Sequence, residues 1–259
     1  MNSSVIYVVH VGSSDRMFLQ FKNRAFQCAT MADPKKEQSA TVKLYLILYN
    51  SIQFLGWFYI YIQFLMHYFV HGKTTETLWD RVGSVTYYFQ LLCIFEFFHA
   101  LFGLVPSNAL ITLMQVFGRC LVVVGAIDAT PTGKLSPGLP IALFCWSLTE
   151  TIRYSYYVLH LALPTVPGFM SWLRYTIFIP LYPLGFFGEL LCFYWAQSYI
   201  GETDMWSVSM PNPYNFTFSF YYFVWIMAIG YLPMFPQMYL HMFSQRKKIL
   251  GGERSQKVA

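Results

Sequence analysis

Charged and titratable side chains interrupt long apolar runs in this sequence, and they recur at helical spacing. Glu96 and His99 lie three apart, and Gln115 and Arg119 four apart. Glu150, Arg153, Tyr154 and Tyr157 share one face if the segment is helical. Such residues are costly inside an apolar run and turn toward the interior of a bundle. Paired, they join helices. Glu150 with Arg153, and Glu96 with Arg119, would cancel one another. That leaves Glu189 with no evident cation, and a carboxylate in that position can act as a general acid or base.

Glu189 closes the stretch Tyr182-Pro183-Leu184-Gly185-Phe186-Phe187-Gly188-Glu189. Seven residues make almost two helical turns, so Tyr182 and Glu189 face the same way, roughly 10 Å apart along the axis. Side chains lean toward the helix N-terminus, which brings Glu189 back toward Tyr182. Pro183 frees a backbone carbonyl and allows a kink. Gly185 and Gly188 allow a second helix, or an acyl chain, to approach closely.

The elements that must position these groups are membrane spans. Of the 259 residues 56% are hydrophobic and 11% charged, against about 25% charged in a soluble domain. The apolar residues gather into six blocks, Leu44–Val70, Val85–Val105, Ala109–Ile127, Leu139–Ala162, Tyr175–Ile200 and Phe216–Phe243. Each approaches or exceeds the roughly 20 residues that cross a bilayer. The expected fold is an all-α integral membrane bundle of about six transmembrane helices. Val105-Pro106-Ser107-Asn108 is a turn signal that folds the second and third blocks into a hairpin. Residues 1–43 read as a mobile cytosolic tail, 44–243 as the membrane domain and 244–259 as a basic cytosolic tail.

The formal charge of +5 sits mostly in the two tails, which places both on the cytoplasmic side. No basic stripe runs through the body, so nucleic acid is not an expected partner; membrane lipid is. The run Val5–Val11 lacks the flanks of a signal peptide, and Met31, which opens a polar stretch, is a candidate alternative start. Asn215-Phe216-Thr217 is a glycosylation sequon on the expected lumenal side, close to the last span. The five cysteines, Cys28, Cys93, Cys120, Cys145 and Cys192, are dispersed, which fits packing residues rather than disulfides or zinc. None has an arginine six residues on, as a cysteine phosphatase would need. His67 with His71, and Glu96 with His99, suggest fragments of a di-iron desaturase, but six histidines on both sides fall short of such a site. A scaffold or transporter is the other alternative, although no inverted repeat is visible.

Tyr182 to Leu191 resembles the signature of the very-long-chain (3R)-3-hydroxyacyl-CoA dehydratase family, also called protein tyrosine phosphatase-like A. So does Trp146-Ser147-Leu148-Thr149-Glu150-Thr151-Ile152-Arg153-Tyr154, with Tyr157. Leu46 to Asn50 with Gly56-Trp57, Phe95 to Val105, Gln115 to Arg119, Tyr214 to Phe216 and Pro233 to Gln237 resemble it in the same order. The resemblance covers roughly Leu44 to Leu250.

It implies a six-span enzyme of the endoplasmic-reticulum membrane that removes water from (3R)-3-hydroxyacyl-CoA to give trans-2-enoyl-CoA, the third step of fatty-acid elongation. The family's catalytic tyrosine and glutamate fall on Tyr182 and Glu189. Implied partners are the condensing elongase, the 3-ketoacyl-CoA reductase and the trans-2-enoyl-CoA reductase. No cofactor or metal is needed, since the thioester already acidifies the adjacent carbon. Either group could be the acid with the other as base. The CoA head is expected near Arg174 and the basic tails.

Overall fold

The computed structural model describes residues 39–70 and 77–258. The sequence readings on Val5–Val11, Cys28, Met31 and most of the N-terminal tail lie outside the described residues, as do His71 and Lys73. The described residues are helical throughout, apart from connecting loops and one antiparallel bridge between Val208 and Phe218.

The helices are α1 (Ala40–Phe69), α2 (Leu78–Leu92), α3 (Ile94–Leu101), α4 (Ala109–Cys120), α5 (Pro131–Lys134), α6 (Gly138–Ala162), α7 (Gly168–Arg174), α8 (Phe178–Thr203) and α9 (Phe220–Val258). A π-helical stretch, Leu121–Asp128, carries α4 onward. Local chemistry sets several of these ends. Thr77 and Asp80 form a reciprocal capping box at the start of α2. The Asn108 side chain accepts from the amides of Leu110 and Ile111 and opens α4. Gly103, at φ +68°, lets the chain reverse after α3.

α6 is the central helix, packed along α1 on one side and α8 on the other. Trp57, Ile60, Leu143, Trp146, Tyr154, Phe193 and Ile200 meet in the core between them. Among the described residues three stretches are long and apolar enough to cross a bilayer, Ala109–Asp128, Gly168–Thr203 and Phe220–Gly251. The expectation of six spans thus holds at a coarser level, as a helical bundle with three such stretches. The rest differ for identifiable reasons. The second block breaks at Cys93 into helices of 15 and 8 residues. α1 and α6 have 30 and 25 residues, but polar groups that they bury interrupt their apolar runs, Asn50 and Gln53 in one and Ser147 and Glu150 in the other. α1 turns Leu44, Leu48, Ile52 and Leu55 outward instead.

Candidate active site

Glu189 is buried on the face of α8 that meets α6. It accepts a hydrogen bond from the indole Nε1 of Trp146 at 2.8 Å. Among the described residues it makes no ion pair. The glycines one turn around it explain how α6 comes so close. A Cβ on Gly188 would lie 2.8 Å from the Ala142 amide nitrogen and 3.0 Å from the Gly138 carbonyl, and one on Gly185 would lie 3.1 Å from the Cys145 Cβ. Gly185 and Gly188, expected to admit a helix or an acyl chain, therefore admit α6 and leave no room there for an acyl chain. Both are already filled by backbone and side chain of that helix.

Tyr182 lies on α8 nearly two turns earlier, half-buried, with α9 against it. Its ring stacks on Phe235 and Tyr239, with centroids 5.4 and 6.1 Å away. Its hydroxyl points at the Met238 sulfur, 3.6 Å away. Pro183 has no amide hydrogen, so the Ile179 carbonyl, four residues back, loses its helical partner. The Tyr239 hydroxyl donates to that carbonyl at 2.9 Å. One proline thus ties α8 to α9 at the level of Tyr182. No hydrogen bond joins Tyr182 to Glu189; the hydroxyl turns to Met238 and the carboxylate to Trp146.

The remaining polar residues form a second cluster around α6. Glu150 accepts from Arg119 through one oxygen and from Arg153 Nε, at 2.5 Å, through the other. Arg153 reaches Glu96 with Nη1 and Nη2 at 2.8 and 2.7 Å. Tyr154, fully buried, donates to Glu96 and accepts from Arg153 Nη2 at 2.7 Å. Two cations and two carboxylates join in a neutral chain, Arg119 to Glu150 to Arg153 to Glu96. This corrects the expected pairing of Glu96 with Arg119. Arg153 holds Glu96, and Arg119 turns to Glu150. The i,i+3 placement of Glu150 and Arg153 on α6 lets the longer side chain reach past its neighbour to α3.

Three residues expected on this polar face lie apart from the charged chain. Gln115 is exposed. Four residues advance a helix by about 40° beyond one turn, and α4 buries Val116 and Gly118 instead. His99 is buried but faces α1, where its Nε2 meets the Tyr45 hydroxyl at 2.8 Å and its ring meets the edge of Tyr49. Tyr157 accepts from Arg174 Nη2 at 2.8 Å. The Arg174 guanidinium also lies over the rings of Tyr156, Tyr157 and Tyr175 at 4.9, 4.5 and 5.7 Å. Asn215 is exposed in the loop between α8 and α9, with φ +48°.

Sequence reasoning did not single out Trp146 as a partner of Glu189, nor Tyr231 and Tyr239 of α9. A buried indole N–H needs an acceptor, and Trp146 lies four residues before Glu150, so a signal for it was present. For the tyrosines of α9, distant in sequence, there was none.

Helices apolar enough for a bilayer, with a carboxylate held among them without a counter-ion, define a membrane protein with a buried polar centre. Residues 90–252 match the family described as protein tyrosine phosphatase-like protein, PTPLA, and the chain belongs to that family. It is 39% identical over 217 residues to a Caenorhabditis elegans protein named very-long-chain (3R)-3-hydroxyacyl-CoA dehydratase hpo-8, covering 84% of this chain and 99% of that one. It is 35% identical to human very-long-chain (3R)-3-hydroxyacyl-CoA dehydratase 2, over 82% of this chain and 83% of the relative. The Arabidopsis thaliana dehydratase PASTICCINO 2 is 33% identical over 83% of this chain and 97% of its own. No solved structure matches.

Proposed function

We propose that this chain is a hydro-lyase that removes water from very-long-chain (3R)-3-hydroxyacyl-CoA to give trans-2-enoyl-CoA. The observation that carries the reading is Glu189. It is buried, held by one neutral donor and unpaired with any cation among the described residues, in a chain similar to named dehydratases along most of its length. Tyr182 and Glu189 form the acid–base pair, one taking the proton from the carbon next to the thioester and the other protonating the departing hydroxyl. The neutral chain of charges joins α3 and α4 to α6, the helix whose Trp146 holds Glu189.

The chain works as a six-span protein of the endoplasmic-reticulum membrane with both termini in the cytosol. The outward leucines of α1 support a lipid-facing role for that helix, since its polar groups turn inward and its apolar ones outward. The CoA head lies near Arg174, whose tyrosine sheath holds a cation that has no carboxylate partner among the described residues. The condensing elongase and the two reductases of the elongation cycle are its working partners. Incubating the detergent-purified protein with (3R)-3-hydroxyacyl-CoA tests the reading. Appearance of the trans-2-enoyl product is expected, and its absence with a folded preparation overturns the reading.

A further inference from the structure

The two arginines of the charged chain are used unequally. Arg153 engages Nε, Nη1 and Nη2. Arg119 engages Nη1 alone, on Glu150. Its Nε and Nη2 are shut away from solvent and have no hydrogen-bond partner among the described residues. Trp57 and Trp146 lie against the guanidinium, 5.3 and 5.2 Å from its carbon. An unmade hydrogen bond from a charged donor away from water is costly. Such a donor edge is completed by an oxygen brought in from elsewhere.

The surroundings of that edge are those of Glu189. Trp146 packs on Arg119 and, through its Nε1, donates to Glu189. Gly118, the residue before Arg119, lies against the Tyr231 hydroxyl of α9.

We propose that Arg119 is a further catalytic residue, whose Nε–H and Nη2–H hold the thioester carbonyl oxygen of the substrate and stabilise the negative charge that develops on it. This rests on the dehydratase reading above. In that reaction a base takes the proton from C2. The electron pair of the broken C–H bond moves into the thioester and places charge on its carbonyl oxygen. The pair then closes the C2–C3 double bond as the C3–O bond breaks, and the departing oxygen takes a proton from the acid and leaves as water. Tyr182 and Glu189 account for the two protons, and neither is free to hold the carbonyl oxygen as well. Fixed donors aimed at developing charge, in a site with little water, are among the largest contributions an enzyme makes. Glu150, by gripping Nη1, sets the plane in which the other two donors lie.

Arg119→Lys keeps a positive charge beside Glu150 and removes the planar pair of donors. In a folded preparation kcat for dehydration should fall about 10²–10³-fold, the usual worth of such a donor, with KM little changed. A purely structural role would not move a second readout. A saturated acyl-CoA carrying ¹³C at the thioester carbonyl cannot be dehydrated. Its carbonyl stretch should shift to lower frequency on binding the wild-type protein and return to the solution value in Arg119→Lys. Wild-type kcat in the variant, or an unshifted carbonyl in the wild type, overturns the inference while the dehydratase reading stands. If Arg119→Lys does not fold, the wild-type spectrum decides alone. If the wild-type protein forms no enoyl product, the dehydratase reading fails and takes this inference with it.

Discussion

Glu150 is the joint of the charged chain, and its removal should be felt more than that of Glu96. One of its oxygens takes Arg119 and the other Arg153. Its side chain is 5% exposed, against 17% for Glu96. Glu150→Gln keeps the shape and leaves two arginines facing one carboxylate. Breaking a buried pair by removing one partner costs about 3–5 kcal/mol. At about 2–4 °C per kcal/mol for a chain of this size, the melting temperature should fall by on the order of 10 °C. Glu96→Gln leaves the same surplus charge in a wetter place, with Arg153 still held by Glu150. The cost there should be nearer the about 1–3 kcal/mol of lost hydrogen bonds to a charged group. Thermal unfolding of both variants in detergent gives the comparison, and double-mutant cycles with Arg119→Gln locate the pairing. Coupling of about 0.5–3 kcal/mol is expected between Arg119 and Glu150, the range for residues in direct contact, with little between Arg119 and Glu96. A larger loss from Glu96→Gln, or coupling that follows Glu96, would refute this wiring.

Tyr182→Phe and Glu189→Gln should each cut turnover by about 10²–10⁴-fold with acyl-CoA affinity nearly unchanged, and the double variant should lose less than the product; near wild-type turnover in either rejects its role. Gly188→Ala places a methyl against the backbone of α6 and should cost about 1–3 kcal/mol, whereas Gly168→Ala meets nothing within 4 Å and should leave the melting temperature alone. Equal melting temperatures for the two would contradict the packing described. Tyr239→Phe strands the Ile179 carbonyl and should lower stability by about 1–3 kcal/mol, and an unchanged melting temperature would mean another donor serves that carbonyl. Tags at either end should be cleaved by protease in intact microsomes; protection of one of them would sink the six-span topology.

What the sequence makes legible here is periodicity, and what it conceals is which helix stands beside which. The i,i+3 and i,i+4 spacings identify Glu96, Arg119, Glu150 and Arg153 as a polar set, because one residue type out of place in an apolar run carries its own signal. Their partners depend on helix rotation, which spacing alone does not give. Arg119 could face either carboxylate from the hairpin. The same ambiguity admits Gln115, which lies about 40° around α4 from Arg119 and so falls outside the bundle. The break at Cys93 leaves no mark in the sequence, since no proline or glycine stands there. Gly185 and Gly188 announce a close approach, but only the structure says that α6 makes it. The bond from Tyr239 to Ile179 was half legible. Pro183 declares the orphaned carbonyl, and the donor comes from 60 residues away.

The wiring of these charges bears on the order in which the protein can be assembled. Glu96 and Arg119 are synthesised before Glu150 and Arg153. In the proposed six-span topology each enters the apolar phase as a lone charge on its own segment, where a central arginine or aspartate costs about 2.5–3.5 kcal/mol to insert. α6 carries its carboxylate and its guanidinium one turn apart and already bonded to each other, so it can arrive as a neutral helix. Its arrival offers Arg119 a carboxylate and Glu96 a guanidinium at the same time. Whatever holds the first two charges during synthesis, their native partners exist only once α6 is in place, and the bundle acquires its final register at that step.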